Sequence, residues 1–285
     1  MLLWVVAGVG DVARPKVDTK PPVKRVTTRP ANVKGGVLVL MYHKVGDEEV
    51  SMTRTRQNFR NDLARLHKMG YRPVTLNEYA TNTMKLPPGA SPVVITFDDS
   101  HSSQFRYLAD GTMDPNCAVG IWHSFAQKHQ DFPVKGTFFV LPNGPFVQKG
   151  LGLKKIQWLR QQGSEIASHT MTHRPLGRIS DYQVAAELAG SYKFLKGMGV
   201  TSHSFAPPYG MLPKNSGLLT GFKIAGKTVG YRNIVLVGSN PAPSPNVATF
   251  NRKRIPRVQA YNGPLGIVYW LNRVSAGKSK PYVQP

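Results

Sequence analysis

The chain has 285 residues, 41% of them apolar and 18% charged, which is enough to bury a substantial core and too apolar for a disordered polymer. Its 27 glycines and 23 prolines argue for many turns and against a helical bundle, and the lone cysteine, Cys117, excludes an intramolecular disulfide and any multi-cysteine metal site. Lys and Arg outnumber Asp and Glu by 37 to 15, a net charge of +22 that attracts polyanions; apart from Lys24-Arg25 and Arg252-Lys253-Arg254 the basic residues are scattered, which argues against specific nucleic-acid reading.

In chain order, residues 1–10 are apolar but too short to span a bilayer, and no Lys or Arg precedes them as in an export signal. They read either as a shortened signal or anchor remnant, or as a plain hydrophobic arm. Residues 11–33, with Pro15, Pro21, Pro22 and Pro30, read as an extended tether. A hydrophobic end, a tether and a cationic body suit an extracellular or cell-envelope protein. The folded part is expected from Gly36. Residues 37–42 form a short, nearly continuous apolar run, the pattern of a strand covered on both faces. A helix follows over 56–69, with Phe59, Leu63, Leu66 and Met69 on one face and Gly70 as its stop.

A second buried strand, 93–97, runs directly into Asp98-Asp99. Cys117 sits among apolar neighbours as a structural thiol, at the start of a helix over 118–129. A strand over 136–141, a helix over 153–162 and a further strand ending at Ser168 come next. Val184, Leu188, Tyr192 and Leu195 mark one face of a helix that begins at Ser180-Asp181. Short strands are expected near 202–206, 222–225, 234–237 and 254–258, and Tyr269 and Trp270 read as core or cap residues. The alternation predicts a parallel α/β domain with right-handed crossovers. Residues 276–285, polar and proline-ended, are expected to fray as a flexible tail.

The chemistry concentrates in two segments at strand ends, where parallel barrels carry their sites. Asp98 and Asp99 are adjacent like charges, better explained by a bound cation than by repulsion, although Asp99 as a simple cap is the plain alternative. His169 and His173 add two imidazoles. One carboxylate and two imidazoles suit a divalent ion with an open position, and Asp98 is then the candidate base. Zinc is the first choice, with cobalt, nickel or another divalent ion open. Thr170 and Thr172 are candidate donors that orient the ligands.

Thr96-Phe97-Asp98-Asp99, His169-Thr170-Met171-Thr172-His173 and Pro208-Tyr209-Gly210, in that order, resemble the motifs of the polysaccharide deacetylases of carbohydrate esterase family 4. Leu40-Met41-Tyr42-His43-Lys44-Val45 also looks like the first strand of extracellular members. The resemblance covers roughly residues 36 to 260. It implies a distorted (β/α) barrel of about seven strands, the NodB homology domain, spanning 36–275. It also implies metal-dependent removal of acetyl groups from an N-acetylated amino-sugar polymer of the envelope or extracellular matrix. In that family the first Asp is the base, matching Asp98. The second Asp and the two histidines hold the metal, matching Asp99, His169 and His173. The tyrosine backbone N–H, here of Tyr209, helps to stabilise the oxyanion.

The chain departs from the family pattern in several places. No histidine follows His203, so the usual late proton donor is absent, and His43, His101 and His203 are the candidates left. Ala206 stands where many members carry an arginine that braces the base, and Ser100 replaces the usual glycine, suggesting a turn without positive φ. Phe105, Tyr107 and Trp122, in a long aromatic-rich segment, are candidates with Pro208 for a glycan groove; the alternative is that they pack the loop. The departures also support a rival function, a catalytically impaired member that binds envelope glycan, an anionic wall polymer or a lipid surface.

Overall fold

The computed structural model describes residues 26–285, so the apolar arm and most of the expected tether lie outside the described residues. The elements run β1 (Leu38–Tyr42), β2 (Lys44–Gly46), β3 (Thr53–Thr55), α1 (Arg56–Lys68), β4 (Tyr71–Pro73), α2 (Leu76–Ala80), β5 (Ser91–Phe97), α3 (Ala118–Lys128) and β6 (Thr137–Val140). They continue through α4 (Gly152–Gln161), β7 (Glu165–Ser168), α5 (Asp181–Gly197), β8 (Ser204–Phe205), β9 (Phe222–Ile224), β10 (Lys227–Val229), β11 (Asn233–Val237), β12 (Ile255–Gln259) and α6 (Ile267–Ser275).

Seven parallel strands close a barrel in the order β1, β12, β11, β8, β7, β6, β5 and back to β1. The closure is uneven because β5 is long. Its first residues pair with β4 (Tyr71↔Ser91 to Pro73↔Val93), and its last pair with β6 on the same edge (Thr96↔Thr137, Phe97↔Phe138). This is the distorted (β/α) barrel that the sequence implies. The predicted strand near 222–225 exists, but as β9 in an antiparallel hairpin with β10 outside the barrel.

Strand alternation sorts the side chains. Leu38, Leu40 and Tyr42 of β1 and Val93, Ile95 and Phe97 of β5 face outward, into a cluster shared with Phe59, Leu63 and Leu66 of α1. Val37, Val39, Val94, Phe139, Ala167 and Ile255 form a second cluster inside the barrel. Helix α1 starts where the Thr55 hydroxyl accepts from the Asn58 N–H, and each of its buried apolar side chains contributes about 1.5–3 kcal/mol. It ends at Gly70, whose φ of +77° admits the left-handed turn.

Two expectations at the chain ends are corrected. The last part of the expected tether is docked on the barrel floor: the Val26 N–H donates to Pro88, Arg29 reaches the Met69 carbonyl, and Asn32 pairs with Val283. Residues 276–285 do not fray. Gly36 bridges to Pro281, the Gln284 N–H donates to Ala90, and Tyr282 and Val283 are buried. Two apolar side chains among polar ones suffice to seat this tail, because its backbone groups find partners on the floor.

Candidate active site

The inward stripe of each strand, followed to the C-terminal end, delivers the site. On β5 it runs Val94, Thr96, Asp98; on β7, Ala167 and then His169; on β1, Val37, Val39 and, further along, His43; on β12, Ile255 and Arg257. The Nε2 atoms of His169 and His173 each lie 3.2 Å from Asp99 Oδ1, and the three ligand atoms sit within 4.8 Å of one another. His169 Nδ1 is 2.7 Å from the Ala206 carbonyl oxygen. A carbonyl only accepts, so Nδ1 carries the proton and the Nε2 lone pair faces Asp99. The donor set and this fixed tautomer fit a divalent cation.

The backbone is strained around these groups. Asp99 (φ 72°), Ser100 (φ 47°), Thr170 (φ 69°), His173 (φ 63°) and Tyr209 (φ 59°) all occupy the left-handed region, where such clusters of non-glycine residues mark functional sites. Ser100 therefore corrects the expectation of a turn without positive φ; its hydroxyl accepts from the Leu141 N–H, which offsets part of the strain. Thr170 accepts from the His173 N–H. Thr172 binds Glu187 of α5, which also accepts from the Met171 and Thr172 N–H groups and so anchors the histidine loop.

Asp98 is buried and makes two 2.7 Å hydrogen bonds with the two terminal nitrogens of Arg257, itself fully buried. Arg257 also donates to Thr96 and to the Leu236 carbonyl. Burial pushes the Asp98 carboxyl up, but the Arg257 charge and hydrogen bonds, with His169 and His43, carry it below the usual carboxylate range. Arg257 fills the bracing role that Ala206 leaves open. It went unseen because nothing local ties residue 257 to residue 98. The available signal was an arginine at an inward position of an apolar strand, which has to find an acid.

Of the three candidate proton donors one has its ring within 4 Å of a carboxylate oxygen. His43 Nε2 is 3.8 Å from Asp98 Oδ2, and its side chain is 15% exposed toward the mouth. Burial lowers its pKa, against the pull of Asp98 and Asp99. Gln104 ties the site together by donating to the backbone carbonyls of His43 and Asp98. The His101 ring bonds to Ser103 and feels Asp99 through its charge alone. His203 lies before β8, at the opposite end of the barrel, beside Arg232 and Arg252.

The proposed groove residues are corrected as well. Phe105 and Trp122 are 0% exposed and Tyr107 is nearly so; Phe105 packs on Tyr107, Phe146 and Trp158, and Trp122 on Phe132. Pro208 is buried too. The long segment folds back on α3 and α4, so its aromatics are core. Tyr209 is the aromatic at the mouth, 68% exposed, its ring 4.9 Å from that of His173.

The polysaccharide deacetylase family model matches residues 85–229. YxkH of Bacillus subtilis, which bears a polysaccharide deacetylase name, is 24% identical over 189 residues, 66% of this chain and 59% of its own length. Chitin deacetylase 1 of Cryptococcus neoformans is 32% identical over 82 residues, 28% of this chain and 17% of its own length. The chain thus spans less than two thirds of either curated relative. Among solved structures, the Streptococcus pyogenes deacetylase PplD in complex with acetate has a TM-score of 0.60 at 18% identity, covering 88% of this chain and all of that one. IcaB from Ammonifex degensii has a TM-score of 0.59 at 19% identity, covering 86% and 98%. At these identities the structures show a shared fold. The family match, which takes in Asp98, Asp99, His169, His173 and Tyr209 over half of the chain, shows that this protein belongs to the polysaccharide deacetylase family.

Proposed function

We propose that the protein removes acetyl groups from an N-acetylated amino-sugar polymer by hydrolysis, using one divalent cation held by Asp99, His169 and His173. The observation that carries this reading is the buried Asp98–Arg257 pair, one residue from Asp99 in the ligand cluster and 3.8 Å from His43. When bound, the cation supplies Lewis-acid chemistry, acidifying water and polarising the acetamide carbonyl, and zinc fits the ligand set best. Asp98 takes the proton of the attacking water. Arg257 keeps Asp98 ionised and fixes the direction of its oxygens. The Tyr209 N–H, aimed by its left-handed backbone, stabilises the developing oxyanion. His43 protonates the amine nitrogen as the C–N bond breaks, a role supported by its position beside Asp98 and its opening to the mouth.

His43 removes the main support for the rival binding-only function, since the missing late histidine no longer implies a missing acid. A relative named for chitin and the high positive charge together favour a β-linked N-acetylglucosamine polymer within anionic envelope material, acted on outside the cell. The test is acetate release from chitin oligomers, peptidoglycan and poly-N-acetylglucosamine by the wild type, Asp98→Asn and His43→Gln. Each variant is expected to lose about 10²–10⁴-fold in rate. Release untouched by Asp98→Asn rejects the base, and release untouched by His43→Gln rejects the donor.

A further inference from the structure

We propose that a cavity of about 710 Å³ on the barrel floor is a binding site for a phosphoryl oxyanion, a phosphate or phosphodiester group. It lies where the chain enters β8, β11 and β12, at the opposite end of these strands from the metal ligands. His203, Arg232, Arg252 and Lys253 line it together with three threonines, Thr201 and Thr228 among them, and no acidic residue does. Its volume is that of an ordinary small-ligand site.

Several cations elsewhere in the fold are neutralised by a carboxylate. Arg54 pairs with Asp62, Arg106 with Asp114, Lys135 with Glu78 and Arg257 with Asp98. Among the described residues Arg232, Arg252 and Lys253 pair with no carboxylate, although three positive charges gathered on one cavity repel. Within the cluster Arg252 is fixed in place. Arg252 Nε donates to the Arg232 carbonyl (3.1 Å) and to Asn233 Oδ1 (3.2 Å), and Asn233 is fully buried, with its amide donating to Asn77 and Ser204. The Arg252 guanidinium is thus held by one edge, with both terminal nitrogens left to bind. The His203 carbonyl accepts from the Arg232 and Asn233 N–H groups, locking the loops before β8 and β11 together. A preorganised guanidinium fork, a second arginine, an ammonium and hydroxyl donors are what a tetrahedral oxyanion with several lone pairs requires. Burial and the neighbouring Arg232 and Arg252 charges disfavour the imidazolium of His203, so the imidazole is a neutral partner that senses what binds beside it.

The test titrates the full chain at low ionic strength with inorganic phosphate and, separately, with poly(glycerol phosphate), reading calorimetric affinity and the His203 imidazole proton resonance, assigned through His203→Gln. Arg232→Gln/Lys253→Gln is compared with Lys214→Gln/Lys278→Gln, which removes the same charge from exposed positions outside the cavity. The first pair should weaken binding at least about tenfold, the second less than about twofold, and both should release acetate like the wild type. Equal affinity per phosphate for the two ligands identifies a small phosphorylated molecule as the occupant, and tighter polymer binding identifies a phosphodiester chain; either supports the site. A silent His203 resonance, or equal losses in the two double variants, overturns it, because the interaction is then with the diffuse +22 field.

Discussion

Arg257→Met tests whether the base is held by its arginine. The substitution keeps the bulk of the chain in the barrel but removes two hydrogen bonds to Asp98, one to Thr96 and one to the Leu236 carbonyl. Stranding a buried carboxylate in this way costs about 3–5 kcal/mol. At about 2–4 °C per kcal/mol for a domain of this size, Tm should fall by about 6–20 °C. The pH dependence has a definite sign. In the wild type the Asp98 pKa is depressed, so its contribution to stability is present above the unfolded carboxylate pKa and fades as pH falls through the lower folded value. Without Arg257, burial is left to raise the Asp98 pKa, and the deficit of the variant should shrink as the solution is acidified.

Scanning calorimetry of Arg257→Met, Asp98→Asn and the double variant, at neutral and acidic pH, measures the coupling. The double variant should recover more than half of the loss, and metal content should match the wild type, because no ligand atom has been touched. A melting point within about 2 °C of the wild type, or a loss equally large in the Asp98→Asn background, refutes the reasoning.

His169→Ala should lose most bound metal in elemental analysis while remaining folded by circular dichroism; equal metal in both proteins defeats the ligand assignment. Because burial lowers the His43 pKa, the alkaline fall in deacetylation should come within or below the ordinary imidazole range and vanish from the residual rate of His43→Gln; an alkaline limb unchanged in that variant points to another acid. Trp122→Ala should cost about 3–5 kcal/mol in urea unfolding, with the KM for glycan oligomers unchanged in the folded protein. A raised KM without a stability loss would return Trp122 to the groove.

Residues whose partners lie nearby in sequence, or whose role follows from a strand end, were legible. The apolar run 93–97 leads directly to Asp98, and the place of His169 and His173 just after a strand end pointed to the candidate metal ligands; their four-residue spacing fits a helical turn, but the segment is an irregular loop with Thr170 and His173 at positive φ. Arg257 was hidden because its partner is 159 residues away and the contact arises only when β1 joins β5 to β12. Phe105 and Trp122 were misread for a different reason: an aromatic residue in a long loop has the same local signature whether it faces solvent or core, and only the packing of α3 and α4 decides. Strand β4 is three residues long, too short for periodicity to register, and helix α2 little longer. The Thr75–Glu78 capping box was the one usable sign of α2. The Ser100 conformation was unreadable because its compensating bond, from the Leu141 N–H, comes from the residue that follows β6, 41 positions away.

The docking of both ends on the floor has a directional consequence. Val26 bonds to Pro88 and Gln284 accepts from Gly89, so the described chain arrives and departs within a residue or so of the same point, under the first residue of β5. Asp98, Asp99, His169 and His43 hang from the other ends of the strands. The base of the barrel thus gathers both ends of the described chain, like the stem of a cup whose mouth faces the other way. A long chain laid across the opening therefore meets neither described end.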